Sequence, residues 1–379
     1  IHAGRMAEPW ARRAEAAIGR HVPLHLHRTG TLFDPEAIRS ASGGPFGVYS
    51  PFMRAARAAP PPAAPLPAPR HIPAAAAPPS DRLEDWHLLP TKPDWAGGLR
   101  ATWQPGEAGA GARLAAFAAA GLARYHESRN IAGLAAGTSM LSPHLHWGEI
   151  SAAQVWHASA AAAEHAGRGM ETFQNEVLWR EFAAYTLWHA PHLPERPLRE
   201  VFSGLPWRDD RRALRAWQRG RTGIPMVDAG MRQLWQTGWM HNRVRMIAGS
   251  FLVKHLLTAW QVGEAWFWDT LVDADLASNA ASWQWVTGCG IDSQPFFRVF
   301  NPVLQGRKFD RDGAYVRRFV PELARLPDTH VHAPWEAPET VLEAAGVVLD
   351  RTYPRPIVGL SEGRARALDA YGEISVGGR

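Results

Sequence analysis

The sequence has little cysteine, little lysine and no long apolar run. A single cysteine, Cys289, in 379 residues excludes an internal disulfide framework and fits a reducing compartment, so a cytoplasmic location is expected. No stretch approaches the roughly 18 apolar residues that a membrane span needs, and no membrane partner is expected. Only three of the 41 basic residues are lysine (Lys92, Lys254 and Lys308), so the positive charge is carried by arginine. A guanidinium can hold two phosphate oxygens at once, which with a net charge of +5 and a pI near 9.7 suits a polyanion, although heavy Arg and Ala usage also follows from coding composition. Also missing are zinc-type Cys/His spacing, a nucleophile elbow and a glycine-rich dinucleotide fingerprint. "DADLASN" opens like a calcium loop, but Ser278 stands where that loop needs Gly and Gln284 where it needs Glu. His144 and His146, two apart on a helix, point apart. No metal is expected.

With 46% hydrophobic and 20% charged residues, the chain can bury a large core. It starts at Ile1 without an initiator Met or a leader-like pattern, and so reads as a fragment. "EPWARRAEAAIGR" reads as helix and "HVPLHLHR" alternates as a strand would. "DPEAIR" reads as a helix start, with Asp34 as cap and Pro35 in the first turn. This is one β-α unit, too small to close a sheet alone. Residues 60–79 hold nine prolines in twenty, which excludes a helix or a central strand and predicts an extended linker. From about 110 to 345 the pattern is helical. "NRVRMIAGSFLVKHLLTAW" reads as one helix, with Leu252, Leu256 and Trp260 spaced by four along a buried face.

Three stretches carry chemistry. "GTSMLSPHLHWGEIS" (137–151) puts Thr138, Ser139 and Ser142 before Pro143. Ser142 reads as a helix cap, and hydroxyls with free N–H groups at a helix start can hold a pyrophosphate. An ordinary capped helix is the plainer alternative. In "NEVLWRE" the residues Glu176, Trp179 and Arg180 share one helical face. A carboxylate beside an aromatic plate suits a nucleobase, whereas a surface Glu–Arg pair beside a core Trp explains the same spacing. "HNRVRM" and "DADLASN" add Asn242, Arg243, Arg245, Met246, Asp273, Asp275 and Asn279, a polar set within an aromatic-rich helical region that suits a polar organic cofactor.

"TGIPMVDAGMRQL" (222–234), "GWMHNRVRMIAGSFLVKHLLTAW" (238–260) and "LVDADLASNAASWQWVTGCGIDSQPFFRVFNP" (271–302) resemble the DNA photolyase/cryptochrome family, most closely class I cyclobutane pyrimidine dimer photolyases. "PFGVYSPFMRA" (45–55) resembles the end of that family's α/β antenna domain. The resemblance implies a mainly α fold: a helical FAD-binding domain over 101–379, preceded by the C-terminal remnant of the antenna domain (1–59) and a Pro-rich linker (60–100). Most of the antenna domain is then expected to precede Ile1, and no antenna chromophore is expected on this stretch of chain.

By the same resemblance, FAD would be held by Tyr125, by Thr138, Ser139, Met140, Leu141 and Ser142 at its phosphates, and by Phe173, Arg180, Arg245, Asp273, Ala274 and Asp275. Asn279 would face the flavin's central ring, where plant cryptochromes carry Asp and animal ones Cys. Trp283, Trp260 and Trp207 resemble the family's electron-relaying tryptophan chain. Glu176 would bond the flipped dimer, and Trp179, Trp285 and Met246 would pack it. Arg129, Asn242, Arg243 and Gln305 would lie at the DNA-facing rim. The implied activity is light-driven splitting of pyrimidine dimers in DNA by a monomeric lyase. Family members acting on (6-4) photoproducts carry His where this chain has Asn242 and Met246. Two other readings stand beside this one, a blue-light photoreceptor of cryptochrome type and a non-catalytic DNA-binding protein.

Overall fold

A computed structural model of the chain describes residues 1–73, 76, 78–293 and 298–376. The first 27 residues form a β-α-β unit: β1 (His2–Gly4), α1 (Pro9–Ile18) and β2 (His25–His27), with the strands parallel and His2 opposite His25. β1 has no alternation in sequence to announce it. The expected strand around Leu26 forms but spans only three residues, and Leu26 is exposed, because a two-stranded pair has no second layer to cover it.

The helix expected from Asp34 does not form; residues 35–37 make a single turn. The Asp34 carboxylate accepts the N–H of Glu36 (2.9 Å) and pairs with Arg5 (2.9 Å). Such a local side-chain turn competes with helix, and one turn does not offset the cost of nucleation before Ser40–Gly44 reverses the chain.

α2 (Tyr49–Ala58) follows and packs on α3 (Ala163–His189), a long helix kinked at Gly167. Phe33, Tyr49 and Phe52 share one apolar cluster with Phe173, Leu178, Phe182 and Tyr185 of α3. A buried carboxylate reinforces the joint: Glu181 accepts the N–H groups of Leu32 (2.7 Å) and Phe33 (2.9 Å). Burial pushes its pKa up to about 7 against those two bonds. Between Ala59 and Arg82 no described residue is in helix or strand, as the prolines require, and the Pro62 carbonyl accepts from His157 (2.9 Å).

The remaining body is helical. α4 (Pro225–Thr237) begins on proline and ends at Gly238, whose φ of 65° only glycine adopts without strain. α5 (Asn242–Ser250) was expected to run unbroken to Trp260. Instead it passes into a π-helical turn at Phe251–His255 and ends there, with Leu257 left-handed (φ 54°). Leu252, Leu256 and Trp260 are all buried, but Trp260 opens a separate helix, α6 (Trp260–Thr270). α7 (Leu276–Thr287), capped by Asp275, packs between α6 and α3.

Candidate functional site

Ser142 and Pro143 do open a helix, Ser142–His146, but Leu141 occupies the cap position and Ser142 makes no capping bond. The Ser142 hydroxyl instead accepts from the indole N–H of Trp239 (3.1 Å). Ahead of it, Met140 is left-handed (φ 49°), and the Ser139 hydroxyl accepts the Leu141 N–H. The first-turn N–H groups of such a helix have no intrahelical partner. Tyr125 is buried edge-on to Phe173 (5.5 Å) and Phe117 (5.6 Å).

Between α5 and the turn that leads into α7 lies a charged pair. Arg245 donates to both oxygens of the buried Asp273 (2.8 and 3.1 Å) and to the Met240 carbonyl (2.8 Å). Its guanidinium lies 6.0 Å from the Trp239 ring, so Trp239 bridges this pair to the Ser142 turn. Asp275 is held as the cap of α7, accepting from Ser278 (2.7 Å), and Ala274 is buried. Asn279 donates its side-chain N–H to the Glu264 carbonyl (3.0 Å). The Glu264 side chain is buried with one oxygen unpartnered, and burial raises its pKa to about 8.

A second cluster lies on α3. Glu176 pairs with Arg129, and its pKa is raised by burial and opposed by that arginine. The expected shared face with Arg180 is not realised: Arg180 turns to the Gly30 carbonyl of the N-terminal segment. Four residues of helical spacing bring Cβ atoms near, but each side chain takes the nearer external partner. Arg180 thereby ties α3 to the N-terminal segment through one of its N–H groups. Trp179 stacks on Tyr49, rings 3.7 Å apart and 8° from parallel. Arg243 donates to Asn130 (2.7 and 3.2 Å) and lies over Phe309. Asn242 is exposed, and Met246, Trp285 and Gln305 are half-buried.

Trp283 and Trp260 are buried and Trp207 is partly exposed. Trp283 packs edge-on against Phe267 (5.0 Å) and Trp217 (6.3 Å). Its ring fills the space a side chain at Gly263 would need; a Cβ there would lie 2.2 Å from it. Trp283 thus rests on the first turn of the helix that Trp260 opens.

Two family models match this chain: the FAD binding domain of DNA photolyase over residues 173–373, and DNA photolyase over residues 1–70. A deoxyribodipyrimidine photo-lyase of Agrobacterium fabrum is 52% identical over 90% of this chain and 72% of its own length. The chain belongs to the DNA photolyase/cryptochrome family. Within the family, cryptochrome-1 of Arabidopsis thaliana is 45% identical over 73% of this chain, and this chain spans 42% of that protein. A crystal structure of a bacterial class III photolyase from Agrobacterium tumefaciens superposes with a TM-score of 0.95 at 48% identity, covering 99% of this chain and 79% of that one.

The family's FAD-binding domain is present, FAD is the cofactor expected of it, and the residues here fit it. The Thr138–Ser142 turn offers hydroxyls and first-turn N–H groups for phosphates. Arg245 and Asp273 offer a donor and an acceptor for a ring edge, and Asn279 keeps its amide oxygen after its N–H goes to Glu264. Sequence reading passed over Glu264, Trp217, Trp239 and Tyr49. Two of them stand in quoted motifs, Trp239 in "GWMHNR" and Tyr49 in "PFGVYSPFMRA", but nothing in the spacing tied either to the site. No helix among the described residues is long and apolar enough to cross a membrane, and no metal-type cluster occurs among them.

Proposed function

We propose that this chain is a deoxyribodipyrimidine photo-lyase that repairs cyclobutane pyrimidine dimers in DNA, acting as a cytoplasmic monomer. The observation that carries this reading is the Glu176 carboxylate, held by Arg129 one helical turn from the Trp179 plate. A dimer needs only an electron, a polarising carboxylate and flat or apolar packing. That electron would come from reduced FAD under light, once the cofactor is bound, and would return to it afterwards. Glu176 accepts a hydrogen bond from a ring N–H of the dimer, and the Arg129 guanidinium paired with it offsets the added negative charge. Trp179, Trp285 and Met246 pack it, and flipping costs a few kcal/mol, least at a damaged site. Asn242, Arg243, Arg129 and Gln305 meet the DNA around the pocket. Tyr125, Phe173, residues 138–142, Arg245, Asp273 to Asp275 and Asn279 hold the cofactor. Trp207, Trp260 and Trp283 relay electrons inward from the surface.

Within the family, the quoted motifs suggest class I, whereas the solved chain at 48% identity is described as class III. An identity of that extent weighs more than shared motifs, so the class III protein is the better guide to subclass. The substrate reading rests on the pocket itself. Neither Asn242 nor Met246 can donate a proton at useful pH, and the nearby His241 is buried as the cap of α5, with its pKa lowered to about 4 by burial and by Arg243, Arg245 and Arg129. Illuminating the reduced protein with each lesion separately, and quantifying restored pyrimidines by chromatography, tests the reading. Dimer repair without (6-4) repair is expected; (6-4) repair alone overturns it.

A further inference from the structure

The plate assigned to the lesion is not free on both faces. Tyr49 covers one face of Trp179 in parallel at 3.7 Å, and Phe182 meets both rings edge-on from the side, at 6.0 Å from Trp179 and 5.8 Å from Tyr49. A base can stack on the opposite face only. Tyr49 is itself fixed: it is buried, and its hydroxyl donates to the Asn175 carbonyl of α3 (2.8 Å). One turn further along α2, Phe52 packs on Phe182 (4.9 Å) and carries the same contact deeper.

Building on the photo-lyase reading above, we propose that Tyr49 is a positioning residue for lesion recognition: its ring backs Trp179 and sets the plane in which the flipped pyrimidine stacks. The argument is one of preorganisation. An indole stacked on one face only by a base loses side-chain freedom on binding, and that loss weakens affinity. An indole already clamped by a neighbouring ring in offset or parallel contact has lost it beforehand. The consequence is that the N-terminal segment, through α2, takes part in binding the lesion and is more than a neighbour of the helical body.

Tyr49→Phe keeps the ring and removes the hydroxyl, whereas Tyr49→Leu and the longer, unbranched Tyr49→Met remove the ring. Each FAD-loaded variant is assayed in the dark by fluorescence anisotropy with a dimer-containing duplex and with an undamaged one, and repair per bound lesion is read after a single flash. The ring-deleting variants are expected to bind the dimer about three- to tenfold more weakly, with undamaged DNA and flash yield unchanged and Tyr49→Phe near wild type. Because Tyr49 acts through Trp179, deleting its ring in a Trp179→Ala background is expected to add almost nothing. Full-strength dimer binding by both ring-deleting variants overturns the proposal and leaves the photo-lyase reading intact. So does an equal loss for undamaged DNA, or an equal loss in the Trp179→Ala background. A wild type that does not distinguish the two duplexes overturns both readings.

Discussion

The residues proposed to face the flavin and those proposed to face the lesion are held in place in different ways. Arg245, Asp273, Asn279 and Trp283 come from one continuous run of chain, 240–283, and satisfy one another or near neighbours in it, such as Met240, Gly263 and Glu264. Glu176 and Trp179 also share a helix, yet each has its nearest support outside it. Arg129 holds the first and Tyr49 the second, from 47 and 130 residues away. A sequence-local site can be read from spacing, whereas a site braced from outside shows its groups but not its supports.

If the flavin side is self-contained, breaking it from within has the largest effect. Asp273→Ala leaves Arg245 without its carboxylate in a mostly buried position, where loss of one partner costs about 3–5 kcal/mol. The variant is expected to purify largely without flavin, seen as loss of visible absorbance, and to melt well below wild type. Next in size, Trp283→Phe is expected to abolish photoreduction of oxidised flavin while leaving repair by chemically reduced protein intact. Trp285→Ala should do the reverse, weakening dimer binding by about 1–3 kcal/mol. Loss of photoreduction alone in both variants would erase the distinction between the two sides.

Glu264 sharpens the comparison through pH. Its folded pKa lies near 8, above the usual 4.5, so its contribution to stability is complete below pH 4.5 and lost as pH rises through 8. Glu264→Gln carries no charge to desolvate, and should gain on wild type between pH 5 and 9 by an amount on the order of a few kcal/mol. Urea midpoints at the two pH values check it. The smallest effect is at Gly249, where a Cβ would meet Trp283 and Val286 only at ordinary contact distances of 3.4–3.5 Å. Gly249→Ala should therefore raise stability by about 1 kcal/mol without changing photoreduction.

What the sequence made legible follows the same line. The helical class and the absence of helix or strand from the described residues of the Pro-rich stretch are local signals, and each is found in the structure, whereas the Asp275 cap went unread. The misreadings are failures of competition. Asp34 closes a tight turn instead of a helix, and the Ser142 hydroxyl accepts from Trp239 instead of capping its helix. The π turn after Ser250 likewise has no periodic signal, because every residue across it is buried and apolar periodicity cannot register a change of pitch. Tyr49 was invisible because its partner lies on another helix.

The shared core of α2 and α3 changes what the Pro-rich stretch is for. Tyr49 and Phe52 bury themselves against Phe182, and Glu181 grips the chain at Leu32 and Phe33, so the first 59 residues behave as a ligand of the helical body. The segment with exposed Arg70 is then a tether, raising the effective concentration of that ligand without contributing its affinity. Trypsin cutting after Arg70 should yield two peptides that co-migrate on native gels and separate only in denaturant. Chemically, such a nicked molecule is a non-covalent heterodimer, and its dissociation constant would weigh the interface directly.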